Sequence, residues 1–352
     1  MANRVPTVET STNLQPPIKL HGNMAVGRLA PSPTGALHIG NARTFLLAWL
    51  SIRAQGGRVI LRIEDIDSPR IKPWAIEQTI DDLRWLGLDW DFGPPNSGQL
   101  HSKAFPLSLI QTNRRERFCE IFETLKLKEK VYVCTCSRSE VAAAATAPHE
   151  YLNLEGPIYP GTCRDRYLDA DEINGSFAWR WKLDEIDLSW KDQFLGQQQA
   201  KPAEQLGDFV IAKADGTPSY QLAVTVDDHD MQVTEVLRGD DLVFSTFRQL
   251  SIMNFLGWRP PNYMHVPLMI GNDGRRLAKR HGDTRLAHLR ERGVTPEAIV
   301  GYLAWTLHQV PHPHPTTARQ LVGQLDWTRM PHEPTVFEPT IEIPNLLRMS
   351  SR

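Results

Sequence analysis

One segment constrains the fold of this chain more than any other: residues 28–41 read RLAPSPTGALHIGN. The apolar run Met24–Leu29 at its start is typical of a short buried strand, which the following prolines and glycine end. Apolar residues then recur at helical spacing over Asn41–Ala54. The sequence therefore predicts a strand, a glycine-containing turn and a helix that starts at Gly40–Asn41.

The start of that helix is suited to bind an anion. Unpaired backbone N–H groups and the positive end of the helix dipole lie at a helix N-terminus, where they attract phosphate. The His38 imidazole can donate a hydrogen bond to a phosphate oxygen, and Gly40 lets a base or ribose approach the backbone. Taken alone, His-x-Gly is a weak signal, because a hydrogen-bonded turn histidine beside a bending glycine also explains it.

A second segment, residues 271–282, reads GNDGRRLAKRHG and is glycine-rich and strongly basic, as in loops that close over triphosphates. Together the two segments resemble the HIGH and KMSKS signatures of class I aminoacyl-tRNA synthetases, specifically the glutamyl branch. The remaining signatures of that branch follow in the expected order at Arg62–Asp67, Tyr220–Ala223 and Arg238–Asp241. Five ordered motifs over residues 24 to 285 are very hard to obtain by chance.

Two departures from the family pattern affect the expected activity. Asn41 stands at the last histidine of HIGH, and Arg276 and Ala278 replace the usual lysine and serine of KMSKS. Asparagine still donates a hydrogen bond and arginine keeps the charge, so we expect the function to be retained with altered detail. A non-catalytic synthetase-like module that binds glutamate, nucleotide or RNA is the alternative.

The resemblance implies an α/β fold: a class I synthetase Rossmann-type parallel sheet, split by a small zinc-knuckle α+β insert and followed by a short helical C-terminal region. The expected divisions are a flexible N-terminal tail (1–23), the first half of the nucleotide-binding domain (24–130), the acceptor-like insert (131–206), the second half (207–265), and the KMSKS-like loop with a helical stem-contact region and no anticodon-binding domain (266–352).

Local patterns add detail to this fold. The strands Phe209–Lys213 and Thr217–Val226 are predicted to form a hairpin around a turn at Ala214–Gly216. The acidic residues that follow are then interpreted as a polar strand end rather than as metal ligands; they are Asp227, Asp228 and Asp230. Residues 92–109 show no clear period and are expected to form a surface insertion. From Thr295 onward the pattern is helical.

Four cysteines are too few and too clustered for a secreted disulfide framework. Cys134-x-Cys136, followed by Tyr159 and Cys163, resembles the zinc knuckle of the same family, in which a tyrosine is the fourth ligand. Thiolates prefer Zn²⁺ in a closed tetrahedral site, which would help to fold an insert that is short of core. The expected role of zinc is therefore structural; the alternative is three ordinary reduced thiols.

Free glutamate has two carboxylates and one ammonium group, and each needs a partner when it is buried. Arg28 and Arg238 are planar cations suited to carboxylates, and the sequence leaves open which one holds the γ-carboxylate. Glu64 can accept from the ammonium group, and Ser32 and Tyr220 add hydroxyls. The family resemblance assigns this set to glutamate binding.

Activation of glutamate by ATP concentrates negative charge on the phosphates in the transition state, so the protein has to supply preorganised donors. The resemblance assigns catalysis to His38, Gly40, Asn41 and Lys279, and ATP binding to His38, Gly40, Arg276 and Lys279. Mg²⁺ is expected to arrive with ATP.

The length of the chain distinguishes between members of the glutamyl branch. Conventional glutamyl-tRNA synthetases carry a large helical anticodon-binding portion after the basic loop, whereas 70 residues follow Gly282 here. The chain therefore resembles the compact glutamyl-Q tRNA(Asp) synthetases, also in having Val224 where conventional enzymes usually place asparagine. This implies synthesis of glutamyl-adenylate and transfer of glutamate to the queuosine base at the wobble position of tRNA(Asp), bound through its anticodon arm. A truncated synthetase that charges tRNA(Glu) is the alternative.

The formal net charge of −2 gives no global attraction to nucleic acid, so RNA contacts have to come from local basic patches. No window reaches the apolar length of a membrane span, and Met1–Asn23 lacks the apolar centre of a signal peptide. We therefore expect a cytoplasmic protein, and we expect it to be a monomer.

Overall fold

The computed structural model describes residues 24–66, 71–94, 105–144, 157–277 and 283–351. The predicted N-terminal tail, Lys279 and the centre of the predicted insertion at 92–109 lie outside the described residues. In chain order, the strands are β1 (Val26–Leu29), β2 (Arg58–Leu61), β3 (Val131–Cys134), β4 (Ala178–Trp181), β5 (Leu188–Asp192), β6 (Gly196–Ala200), β7 (Phe209–Lys213), β8 (Glu235–Gly239), β9 (Asn262–Val266), β10 (Met269–Ile270) and β11 (Thr335–Val336). The α-helices are α1 (Ile39–Ala54), α2 (Pro73–Trp85), α3 (Arg115–Leu127), α4 (Arg138–Ala144), α5 (Pro202–Gln205), α6 (Tyr220–Asp230), α7 (Val243–Leu256), α8 (Leu286–Glu291), α9 (Pro296–Thr306) and α10 (Pro339–Ser350).

A parallel sheet with the strand order β2-β1-β8-β9 forms the centre of the nucleotide-binding fold. The short apolar strands β1 and β2 are almost completely buried, and α1 connects them and packs on the sheet. Because the carboxyl ends of parallel strands meet at one edge, Arg28, Arg62 and Arg238 are brought to the same edge. The predicted Rossmann-type fold class is confirmed.

An antiparallel sheet, β3-β4-β7, lies between the two halves of the parallel sheet in the sequence. Trp181 and Phe209 from this sheet share a hydrophobic core with Phe118 of α3 and Leu222 of α6. Trp181 is completely buried in this core. The exact domain boundaries stay predictions.

The predicted strand Thr217–Val226 is wrong. The turn after β7 is present, since Lys213 N donates to Thr217 O at 2.8 Å, but pairing ends with a single bridge between Ala212 and Pro218. Ser219 N still donates to Ile211 O at 2.8 Å across this bridge, but Leu222 and Val226, four residues apart, are both buried from one helix, α6, which begins at Tyr220. Tertiary packing thus favours the helical period.

As a result, the acidic residues that were predicted to form a polar strand end lie buried on α6, where they form ion pairs. Arg62, fully buried, donates to Glu64 at 2.9 Å and to Asp228 at 2.7 Å. Arg114 likewise binds Asp227 at 2.6 Å and Asp230 at 2.7 Å. Although burial opposes the charged form of Arg62, Asp228 and Glu64 raise the pKa of its guanidinium. These contacts fasten α6 to the edge of the parallel sheet.

The C-terminal region packs on the same core. Thr295 caps α9 by accepting from Ala298 N at 3.3 Å, which confirms the predicted helix near Pro296. β11 pairs in parallel with β10, which is the strand directly before the basic loop. None of the helices in the described part of the chain has the length and apolar content needed to cross a lipid bilayer.

We expect Arg62→Met to lower the free energy of unfolding by about 3–5 kcal/mol, because Glu64 and Asp228 would be left buried without their shared cation. Denaturant unfolding followed by circular dichroism measures this loss.

Arg53→Met is the matched control. Arg53 pairs at 2.7 Å with Asp89 and Asp91, whose side chains are 41% and 36% exposed. Solvent screens such a pair, so we expect a loss of at most about 1 kcal/mol. Equal losses in both variants would contradict the special role of the buried network.

Candidate functional site

A cavity of about 480 Å³ lies at the carboxyl edge of the parallel sheet, between β1, the start of α1 and β8. Nine residues predicted for glutamate, ATP or catalysis line it: Arg28, Ser32, His38, Gly40, Asn41, Glu64, Tyr220, Arg238 and Arg276. Lys279, the tenth, lies outside the described residues. The structure thus brings together residues that are far apart in the sequence, and their individual roles stay predictions.

His38 forms the N-cap of α1. Its Nδ1 accepts from Asn41 N at 3.3 Å, and Asn41 Oδ1 accepts from His38 N at 3.2 Å. This reciprocal pair satisfies two backbone donors and starts the helix at Ile39, directly before the expected start at Gly40–Asn41. Asn41, the departure from the HIGH pattern, therefore has a local structural role.

The cap also fixes the tautomer of His38. Because Nδ1 is an acceptor, the ring proton lies on Nε2, which is then a donor. Burial, aided by the charge of Arg276, lowers the pKa of His38 to about 4. At neutral pH the ring is therefore an uncharged hydrogen-bond donor beside a helix N-terminus.

Arg28 and Arg238 come from neighbouring strands and are 7% and 4% exposed. Arg28 Nη1 donates to Leu237 O at 3.2 Å, and its Nε lies 3.8 Å from Asp228 Oδ1. Burial lowers the pKa of Arg28, while Asp228 opposes this effect. Within the described residues, neither Arg28 Nε nor Arg238 Nη1 has a hydrogen-bond partner. Buried donors of this kind are costly unless a ligand pairs with them.

Neutral acceptors hold Arg238. Its Nη2 donates to Thr246 Oγ1 at 2.7 Å and to Gln249 Oε1 at 2.9 Å, and its Nε donates to His265 Nε2 at 3.0 Å. None of these three partners carries a negative charge at neutral pH. Arg238 is therefore well suited to attract an anionic ligand into the cavity.

Glu64 supplies the opposite charge. It is 8% exposed, and its Oε1 accepts from Arg62 Nη2 at 2.9 Å. Burial raises the pKa of Glu64, whereas the charges of Arg62 and Arg28 oppose that shift. A ligand ammonium group would stabilise the ionised carboxylate further.

Residues on both sides of the basic loop lie beside the start of α1. Ile39 N donates to Thr284 O at 3.0 Å, and Leu286 N donates to Leu37 O at 2.9 Å. On the preceding side, Arg276 Nη1 forms an ion pair with Asp241 at 2.7 Å. The described residues that flank 278–282 are thus held beside the same cavity.

Sequence reasoning missed several polar residues behind the cavity. Arg43 is one: it is buried on α1 and donates to Pro267 O at 2.6 Å, and burial lowers its pKa to about 10. An arginine near the start of a largely apolar helix is a usable signal in the sequence. Asp192 and His265, which contact each other behind Arg238, carry no motif and are 73 residues apart.

The predicted zinc ligands form a second cluster. The Sγ atoms of Cys134, Cys136 and Cys163 lie within 4.8 Å of one another, and Tyr159 Oη is 3.3 Å from Cys134 Sγ. Burial alone would raise the pKa of Cys163, but hydrogen bonds from Tyr159 and Thr135 lower it to about 7. Three sulfurs around one tetrahedral ion stand roughly 3.8 Å apart, so this donor set fits Zn²⁺.

Comparison with known proteins agrees with this geometry. The family model for the catalytic domain of class I tRNA synthetases (E and Q) matches residues 24–339. A protein of Rhodopirellula baltica named glutamyl-Q tRNA(Asp) synthetase is 46% identical over 333 residues, covering 89% of this chain and 97% of its own. A Symbiobacterium thermophilum protein of the same name is 47% identical, covering 88% and 95%.

A solved structure extends the comparison to the fold. The crystal structure of glutamate-tRNA synthetase from Elizabethkingia anophelis matches with a TM-score of 0.74 and 24% identity, covering 92% of this chain and 70% of that one. At this identity the likeness concerns the fold alone. On the family match and the near full-length relatives, the chain belongs to the class I tRNA synthetases (E and Q), within the family named glutamyl-Q tRNA(Asp) synthetase.

Proposed function

We propose that this protein activates L-glutamate with ATP and transfers it to the queuosine base at the wobble position of tRNA(Asp). The observation that carries the proposal is the cavity in which Arg28, Glu64 and Arg238 surround the space next to the N-terminus of α1. The substrate RNA is inferred from the printed name of relatives that this chain matches over nearly their whole length.

The charges of the cavity complement glutamate. Arg238 has a guanidinium nitrogen without a hydrogen-bond partner for a carboxylate, Arg28 lines the same cavity as a second cation, and Glu64 offers a carboxylate to the ammonium group. Ser32 and Tyr220 line the same cavity and add hydroxyl groups. Either arginine can hold the γ-carboxylate.

In the first step, an α-carboxylate oxygen of glutamate attacks the α-phosphorus of ATP, and the bond to pyrophosphate breaks. The Nε2–H of His38 and the backbone at Gly40 are placed to stabilise charge on the phosphates. Lys279 is proposed to meet the phosphates from the other side, since Arg276 and Thr284 on either side of residues 278–282 are anchored beside this cavity. Mg²⁺ bound with ATP would add positive charge to the phosphates.

In the second step, a cyclopentene hydroxyl of queuosine attacks the carbonyl carbon of glutamyl-adenylate, an ester forms and AMP leaves. The anticodon arm is proposed to lie where a conventional synthetase places the acceptor end. Cys134, Cys136, Tyr159 and Cys163 would hold Zn²⁺, whose role is to stabilise the insert that meets the RNA. The monomeric state and cytoplasmic location stay predictions.

Transfer of [14C]glutamate separates the candidate activities. We expect labelling of tRNA(Asp) that carries queuosine, and none of tRNA(Asp) lacking it or of tRNA(Glu). Labelling of unmodified tRNA(Glu) would instead identify a shortened tRNA(Glu)-charging synthetase. If the folded protein shows no glutamate-dependent ATP–pyrophosphate exchange, it is a non-catalytic binding module.

Two variants separate the chemical role of His38 from its capping role. His38→Asn keeps a good N-cap but loses the Nε2–H donor, so we expect ATP–pyrophosphate exchange to fall by roughly a hundredfold to a thousandfold with little loss of stability. His38→Ala should lose the same activity and also about 1 kcal/mol of stability. Full activity of His38→Asn would rule out the donor role.

We expect one zinc ion per chain in protein purified without chelator, measured by inductively coupled plasma mass spectrometry. Cys163→Ser should lose the metal and unfold at lower denaturant concentration, because a structural ion contributes folding free energy. Cys119→Ser is the control, since Cys119 lies on α3 and is not a member of the cluster. Zinc-free wild-type protein of unchanged stability would contradict this assignment.

A further inference from the structure

A chain of buried hydrogen bonds reaches Arg238 from the β5–β6 hairpin. Asp192, the last residue of β5, lies with Oδ2 2.7 Å from His265 Nδ1 on β9. His265 Nε2 in turn lies 3.0 Å from Arg238 Nε on β8. Asp192 and His265 are completely buried and Arg238 nearly so, so solvent does not compete for these contacts.

The partners fix the proton positions. Asp192 Oδ1 accepts from the backbone N–H groups of Phe194 at 2.9 Å and Leu195 at 2.8 Å. Although burial opposes it, the hydrogen bond from His265 and these backbone contacts lower the pKa of Asp192. An ionised carboxylate only accepts, so His265 carries its proton on Nδ1. Its Nε2 lone pair is then free to accept from Arg238 Nε–H.

The contact between His265 Nε2 and Arg238 Nε–H also keeps His265 neutral. Protonation of Nε2 would place a donor against the Arg238 N–H and a second positive charge beside the guanidinium. Burial chiefly lowers the pKa of His265 to about 4, with Arg238 and Arg28 adding to this effect and Asp192 opposing it. The neighbouring Thr246 hydroxyl and the ring of Trp190, at 5.5 Å, bring no further charge.

We propose that Asp192 and His265 are positioning residues that hold Arg238 in the orientation required for a carboxylate of glutamate, an inference that rests on the proposed function. His265 holds Nε, and Thr246 and Gln249 hold Nη2. Nη1 has no hydrogen-bond partner within the described residues, and Arg238 lines the cavity, so Nη1 is the atom assigned to the substrate. An arginine fixed before binding loses less side-chain entropy when the ligand arrives.

Asp192→Asn tests the inference with little change in shape. The asparagine Oδ1 can still accept from Phe194 and Leu195, but its amide N–H₂ would replace Oδ2, which faces His265 Nδ1 and also accepts from His265 N at 3.1 Å. The ring would then move its proton to Nε2, where it opposes Arg238 Nε–H. In ATP–pyrophosphate exchange we expect the KM for glutamate to rise about ten- to hundredfold, while the KM for ATP stays within about twofold.

Asp208→Asn is the matched control. Asp208 is also buried and accepts from a backbone N–H, that of Leu183 at 2.8 Å, and from an arginine, Arg164 at 2.7 Å. It does not line the glutamate cavity. We expect its KM for glutamate to equal that of the wild type.

Substitution of His265 adds a rescue test. His265→Phe removes both ring nitrogens, and we expect a rise in the KM for glutamate at least as large as that of Asp192→Asn. His265→Gln supplies a side-chain carbonyl that can accept from Arg238, so we expect its KM for glutamate within about fivefold of the wild type.

The outcomes separate the two proposals. If the folded wild-type protein shows no glutamate-dependent ATP–pyrophosphate exchange, the proposed function is overturned, and this inference with it. An active wild type in which Asp192→Asn and Asp208→Asn behave alike, or in which the KM values for glutamate and ATP rise in parallel, would overturn the positioning role alone. If His265→Phe fails to fold, Asp192→Asn and His265→Gln still decide the matter.

Discussion

The buried guanidinium of Arg62 joins the elements from which the cavity is built. It follows β2 directly, binds Glu64 beside the cavity and reaches Asp228 on α6. Asp228 in turn lies 3.8 Å from Arg28 on β1. Charges in a low-dielectric interior have to be paired, so the position of each residue in this set depends on the others. The groups proposed to bind glutamate are therefore placed by the same ion pairs that fasten α6 to the parallel sheet.

Features encoded over short distances could be predicted from the sequence. The order of strand, turn and helix around His38 follows from apolar spacing and from proline and glycine, and the cap at Thr295 follows from the residues around Pro296. The cavity-lining set could be predicted because it belongs to ordered motifs. Most of the segment Thr217–Val226 is helical instead of the predicted strand, because its strand-forming residues also place Leu222 on the buried face of a helix, and packing decides between the two periods.

Pairing over long distances could not be predicted in the same way. Asp228 and Arg62 are 166 residues apart, and Asp192 and His265 are 73 apart. An aspartate in a sequence looks the same whether it is solvated or buried against an arginine, and only the packing of α6 and of the β5–β6 hairpin distinguishes the two. The hydrogen bonds around Arg238 are therefore a property of the assembled fold.

The order in which the strands occur in the chain affects how the nascent protein folds. Arg28 donates to the carbonyl of Leu237, 209 residues later, and β1 pairs with β8 across that interval. While the ribosome is still making the intervening insert, one edge of β1 stays unpaired and the pocket has only one of its two arginines. Long-range parallel pairing is slow, since loop closure comes first. The cavity is thus completed late in synthesis, after the insert has already emerged.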